Sequence, residues 1–136
     1  MTSDIILPDL QSALLCEDVR AETSGQQTLI GVIGAIPTST LPIGFLKLCL
    51  WTRWCGGLGN FCQRSMIFDP EENEPIAQAE INFLLNDMNA HATNIHFFGG
   101  IKFHKYGIYH IEIHLDDQLQ LRIPFPVVQV KLEDGR

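Results

Sequence analysis

Tyr106-Gly107-Ile108-Tyr109-His110-Ile111-Glu112-Ile113-His114-Leu115-Asp116-Asp117-Gln118-Leu119-Gln120-Leu121-Arg122-Ile123-Pro124-Phe125 is the stretch that decides the fold. Tyr109, Ile111, Ile113 and Leu115 alternate with His110, Glu112, His114 and Asp116. After Asp116-Asp117 the alternation resumes, with Leu119, Leu121, Ile123 and Phe125 against Gln118, Gln120 and Arg122. A period of two over this length predicts a half-buried strand, a turn and a second half-buried strand. One face of each strand meets a core, and the other meets water or a partner. Pro124 and Pro126 place the end of the second strand at an edge or a bulge, because proline has no N–H to give a ladder.

The same grammar runs through the rest of the chain. Gln11 to Glu22 and Thr28 to Ile33 read as a hairpin around the turn signal Ser24-Gly25-Gln26. Phe45 to Cys55 reads as a strand with Leu46, Leu48, Leu50 and Trp54 on one parity, and Lys47, Cys49, Trp51 and Arg53 on the other. Gly56 to Asn60 is a flexible turn before Phe61 to Phe68. Ile76 to Leu85 fits both helical spacing and alternation, and its strand-rich surroundings favour strand. Asn86 to Asn94 reads as a polar loop. Ile95 to Phe103 is a strand whose Gly99-Gly100 predicts a bulge or a close backbone approach. The whole predicts one all-β domain over residues 1–136, an antiparallel β-sandwich of about eight strands, with short polar ends at 1–10 and 131–136.

Bulk properties narrow the function classes. A chain of 136 residues with 46% hydrophobic and 18% charged residues is globular and large enough to fold without a staple. A net charge of -7 repels phosphate backbones, which argues against general nucleic-acid binding. The charge is uneven. Residues 35–68 hold Lys47, Arg53 and Arg64 and no acid, whereas 69–87 hold six acids and no base. The first residues carry acids where a signal peptide needs bases, and no apolar run reaches the roughly 18 residues of a membrane span. A cytoplasmic protein without a membrane partner is therefore expected, with Cys16, Cys49, Cys55 and Cys62 as free thiols lacking CxxC spacing.

Several pieces together resemble a known group. Leu15-Cys16-Glu17-Asp18-Val19-Arg20 followed by Thr28-Leu29-Ile30-Gly31-Val32, the Trp51 to Trp54 strand, Asp69-Pro70, Gly107-x-Tyr109 and Ile123-Pro124-Phe125 resemble a family of uncharacterised bacterial β-rich proteins, classed only as a domain of unknown function. The resemblance covers about Ala13 to Val130. It implies a C2-like or immunoglobulin-like sandwich and brings no activity or catalytic residue.

Four constellations carry candidate chemistry. His110, Glu112 and His114 share one strand face at spacings of roughly 6–7 Å. With Asp116, or with His96 and His104 from a neighbouring strand, they could hold a divalent metal, and a hydrolytic site is the extension of that reading. The plain reading is the wet face of an amphipathic strand. Lys47, Trp51 and Arg53 place cations around an indole, a pattern suited to stacking or to a protein interface. The plain reading there is a tryptophan packed under a loop. Asp69, Glu71, Glu72 and Glu74 with Asp116 and Asp117 would suit calcium if their loops converged. Glu17 and Asp18 point to opposite faces, so Asp18 and Arg20 form a simple pair. No nucleophile elbow, P-loop or dinucleotide fingerprint is present. The expected function is a non-enzymatic binding or assembly module that contacts itself or a protein partner, without cofactor. The metal-binding strand is the alternative, and a calcium module the weaker one.

Overall fold

The computed structural model describes residues 4–131. They form nine strands and no helix: β1 (Asp9–Ala21), β2 (Gln27–Val32), β3 (Ile36–Thr38), β4 (Ile43–Cys55), β5 (Gly59–Phe68), β6 (Pro75–Leu85), β7 (His91–Phe103), β8 (Gly107–Leu115) and β9 (Gln118–Gln129). One sheet has the order β2-β1-β4-β7 and the other β3-β9-β8-β5-β6. Leu15, Leu48, Leu50 and Trp54 of the first sheet share a core with Ile67, Ile111, Ile113 and Phe125 of the second. Each such side chain contributes about 1.5–3 kcal/mol of apolar burial.

The all-β expectation holds, with one strand more than predicted. The added strand is β3, which pairs in parallel with β9, Ile36 opposite Val127. The pairing is therefore not antiparallel throughout. Three residues are too few to display a period, and Pro37 reads as a connection; an edge position tolerates its missing N–H. The polar loop predicted up to Asn94 gives way at His91, where β7 begins. The polar N-terminal end is also shorter than predicted. β1 begins at Asp9, and Ile6 exchanges two backbone hydrogen bonds of 2.9 Å with Leu58. The ambiguous segment is a strand, β6, paired with β5 along its length. Residues 132–136 of the predicted polar tail lie outside the described residues.

In the opening hairpin, Tyr109, Ile111, Ile113 and Leu115 are all buried. Tyr109 packs edge-on to Phe103 at 5.0 Å between centroids. Its hydroxyl donates to the Lys105 carbonyl at 3.0 Å and accepts from the Lys105 N–H at 3.2 Å. The second strand departs from the prediction. Leu119 and Leu121 are exposed, whereas Phe125 and Val127 are buried. β3 flanks β9 only from Val127 to Gln129, so the early part of β9 is a bare edge.

Strands β4 and β7 turn over together. In β4 the core-facing set shifts from Ile43 and Phe45 to Leu48, Leu50 and Trp54. In β7 it shifts from Asn94, His96 and Phe98 to Ile101 and Phe103. The register between the strands is continuous across the switch, Phe45 opposite Ile101 and Lys47 opposite Gly99. Gly100 at φ +63° supplies the left-handed residue that permits it. Leu46, predicted to share the core parity of Leu48, sits at the switch and is 94% exposed.

Candidate interaction face

The outer face of the β2-β1-β4-β7 sheet is built by β-alternation. Ser12, Leu14, Cys16 and Asp18 of β1 lie opposite Arg53, Trp51, Cys49 and, by continuation of the register, Lys47 of β4. Across β4 the same face continues to Thr93, Ile95, Phe97 and Gly99 of β7. Val32 of β2 closes the row beside Cys16. Leu14, Val32 and Phe97 are 39%, 54% and 56% exposed, so large apolar side chains meet solvent together on one face.

The predicted trio sits within this face, and each member is differently engaged. The Lys47 ammonium lies 5.2 Å from the centre of the Phe97 ring and 2.6 Å from Asp18 Oδ1. The Lys47 hydrogen bond holds the Asp18 carboxyl below the usual carboxylate range. Arg20 adds a second cation 3.7 Å from Asp18. Trp51 is half-buried, and its indole N–H donates to Gln27 Oε1 at 2.7 Å. Trp51 is thus tied to the first residue of β2 at the edge of the β1–β2 turn. Arg53 is half-buried, and its Nε is buried without a hydrogen-bond partner. Cys16 and Cys49 face each other across β1 and β4, fully buried, and all four cysteines are free thiols.

His110, Glu112 and His114 do share one outer face, on the other sheet. His114 Nε2 lies 3.0 Å from Glu112 Oε1, and Arg122 Nε lies 3.5 Å from Glu112 Oε2. Arg122 also pairs with Glu72, whose carboxylate reaches to 3.7 Å from His110. The strand's carboxylate is thus shared with an arginine. Among the described residues no group of three or more His, Cys, Asp or Glu is placed to hold a metal ion. His96 cannot join this stripe as predicted. The neighbours of β8 are β5 and β9, while β7 belongs to the opposite sheet and turns His96 into the core.

The acidic loops do not converge either. Asp69 follows the end of β5, where its Oδ1 accepts from the Glu71 and Glu72 N–H groups and Lys105 pairs with its Oδ2. Asp116 sits at the opposite end of β5, accepting from the Cys62 N–H at 2.9 Å. Register decides this. β8 runs antiparallel to β5, so the Asp116 turn must lie at the β5 start. The calcium arrangement expected from the two acid groups is therefore not formed.

Sequence reasoning missed a polar cluster inside the sandwich. Gln63 Oε1 lies 2.8 Å from the Trp54 indole nitrogen, 2.9 Å from Thr52 Oγ1 and 2.9 Å from Asn94 Nδ2, and its Nε2 donates to Ser65 Oγ at 3.0 Å. The cluster joins β5 of one sheet to β4 and β7 of the other. His96 lies two residues beyond Asn94 on the same inward parity, 4% exposed, with neither ring nitrogen hydrogen-bonded. Burial pushes its pKa down. A signal was present in the sequence: Thr52, Gln63, Ser65, Asn94 and His96 interrupt apolar parities, where a polar residue must be satisfied by a partner.

The fold and its outer face define a two-sheet, all-β domain with an internal polar pin and a partly apolar face, and no helix long and apolar enough to cross a membrane among the described residues. The sequence model of a family of unknown function, DUF6941, matches residues 11–128, and the chain belongs to that family. No curated protein matches the chain.

Proposed function

We propose that this protein is a non-enzymatic, cytoplasmic binding or assembly module of bacterial type, which self-associates through the outer face of its β2-β1-β4-β7 sheet. The observation that carries the reading is the exposure of Leu14, Val32 and Phe97 on one sheet face, on β1, β2 and β7, with Lys47 and Arg53 of β4 among them. Large apolar side chains exposed on one face are unfavourable in water and mark candidate contact sites. Aromatic and arginine side chains are enriched in such patches.

The fold reading is immunoglobulin-like rather than C2-like. The order β1-β4-β7 opposite β9-β8-β5-β6 matches an A-B-E sheet facing a G-F-C-C′ sheet. Tyr109 near the start of β8, hydrogen-bonded back to the Lys105 backbone, corresponds to the tyrosine corner of such domains. Immunoglobulin-like sandwiches host many functions, so this supports a scaffold and not an activity.

Light scattering over a concentration series tests the assembly reading. The wild-type mass should rise with concentration, and Phe97→Asp should return it to that of a monomer without loss of melting temperature. A wild-type chain that stays monomeric to high concentration sinks the idea. An unchanged oligomer in Phe97→Asp places the contact elsewhere, with the bare edge of early β9 next in line.

A further inference from the structure

A cavity of about 500 Å³ opens beside the predicted trio, lined by Gly25, Gln26, Gln27, Trp51, Arg53 and Thr93. It lies where the tip of the β1–β2 hairpin reaches the outer face of β4 and β7, and the Trp51–Gln27 hydrogen bond fixes that approach. We propose that this cavity is a binding site for a small organic monocarboxylate, with the Arg53 guanidinium as its anchor.

The chemistry of the lining supports this class. No residue of the cavity is acidic. Arg20, Arg64 and Arg122 each lie within 4 Å of at least one carboxylate. Among the described residues Arg53 has none, and its Nε is buried without an acceptor. A guanidinium in a half-buried position normally finds a planar, two-oxygen acceptor, because its parallel N–H groups match a carboxylate. Further donors surround it. The Gln27 Oε1 is occupied by the Trp51 indole, which leaves the Gln27 amide N–H groups, and the Thr93 hydroxyl lies opposite Arg53 in the β4–β7 register.

Charge disfavours dianions here. Arg53 is the single cation of the lining, in a chain of net charge -7. That field disfavours a dianionic phosphate and leaves a monoanion as the best match. The half-buried Trp51 ring supplies an apolar wall for the body of an organic acid, and the volume lies in the range of small-molecule pockets. The ligand site does not depend on self-association, because a monomer contains the complete lining.

Nitrogen-15 NMR titration tests it, following the Arg53 Nε–H and Trp51 Nε1–H resonances on adding sodium benzoate, sodium acetate or inorganic phosphate at constant ionic strength. Benzoate should shift both resonances saturably, with a half-point at least about tenfold below that of acetate, and phosphate should cause no saturable shift. Arg53→Gln should abolish the Trp51 response to benzoate, Arg53→Lys should weaken it about tenfold, and Arg20→Gln should leave it unchanged. The Trp54 indole resonance, locked inside the core on Gln63, reports that each variant is folded. Non-saturating shifts with benzoate, an undiminished Trp51 response in Arg53→Gln, or phosphate binding as tight as benzoate would each overturn the proposal.

Discussion

His96 shows how one side chain can set a condition on the whole fold. It is almost fully buried, and neither ring nitrogen has a partner. Burial favours the neutral imidazole, so the folded-state pKa lies below the ordinary value of 6.5. Below that value the unfolded chain binds the proton that the folded one resists. Stability contributed by neutral His96 is therefore complete above pH 6.5 and lost as pH falls. Urea midpoints measured from pH 7.5 to 5.5 should fall for the wild type and fall less for His96→Leu. Equal slopes would show that this imidazole is protonated as easily inside as outside. The leucine variant should also be no less stable at pH 7.5, because no hydrogen bond is lost and the volume is similar. The Gln63 cluster is the contrasting case, since the Trp54 indole and the Asn94 amide both donate to that one oxygen, and only the Thr52 hydroxyl has a second acceptor, the Asn94 carbonyl.

Individual elements were legible in proportion to their length and to the constancy of their alternation. β8 was read residue by residue, because Tyr109 to Leu115 never breaks step. β4 misled at Leu46, where strand and partner turn over together and invert the alternation. Gly99-Gly100 flagged that place on β7, yet a sequence does not show which strand lies opposite. β3 was invisible because its pairing is parallel and long-range. The candidate face was legible as residue types on one parity of β4. Its cavity was not, since that needs the hairpin tip to reach Trp51. The segment before β1 rests on a similar tertiary contact. A Cβ added to Gly57 would lie 2.7 Å from Pro8 Cβ and 2.8 Å from the Ile6 carbonyl oxygen, so the Ile6–Leu58 bridge requires glycine there. Gly57→Ala should cost about 1–3 kcal/mol, the usual range for overpacking, and raise amide exchange at Ile6 and Leu58. Gly34→Ala, where nothing lies within 4 Å, should do neither. Matching exchange in the two variants would mean that the segment is held by something other than this close approach.

At the scale of the molecule, both outer faces expose apolar side chains, Leu84, Ile108 and Leu119 on one and Leu14, Val32 and Phe97 on the other, and they differ in their ion pairs. On the β3-β9-β8-β5-β6 side, Arg64, Arg122, Glu80, Glu112 and Glu72 are tied into exposed ion pairs that contribute little stability but keep the surface wetted. On the other side two thiols are enclosed beneath the apolar residues. Burial, with the neighbouring Cys49 as a lesser cause, pushes the Cys16 thiol up to about 11, and burial also raises that of Cys49. A buried thiol of raised pKa is chemically silent. Cys55 and Cys62 are less enclosed. An alkylating reagent should therefore label Cys55 first, Cys62 more slowly because partial burial raises its thiol too, and Cys16 and Cys49 only when β1 lifts from β4. In a chain with Cys55 and Cys62 replaced by serine, labelling followed by mass spectrometry becomes a stopwatch for that one opening. If two labels arrive together, the strands part as a unit; if Cys16 is labelled alone, β1 frays from its own side. The enclosed pair thus gives this sheet a built-in clock, whose rate under native conditions reports how often its outer face is taken apart and remade.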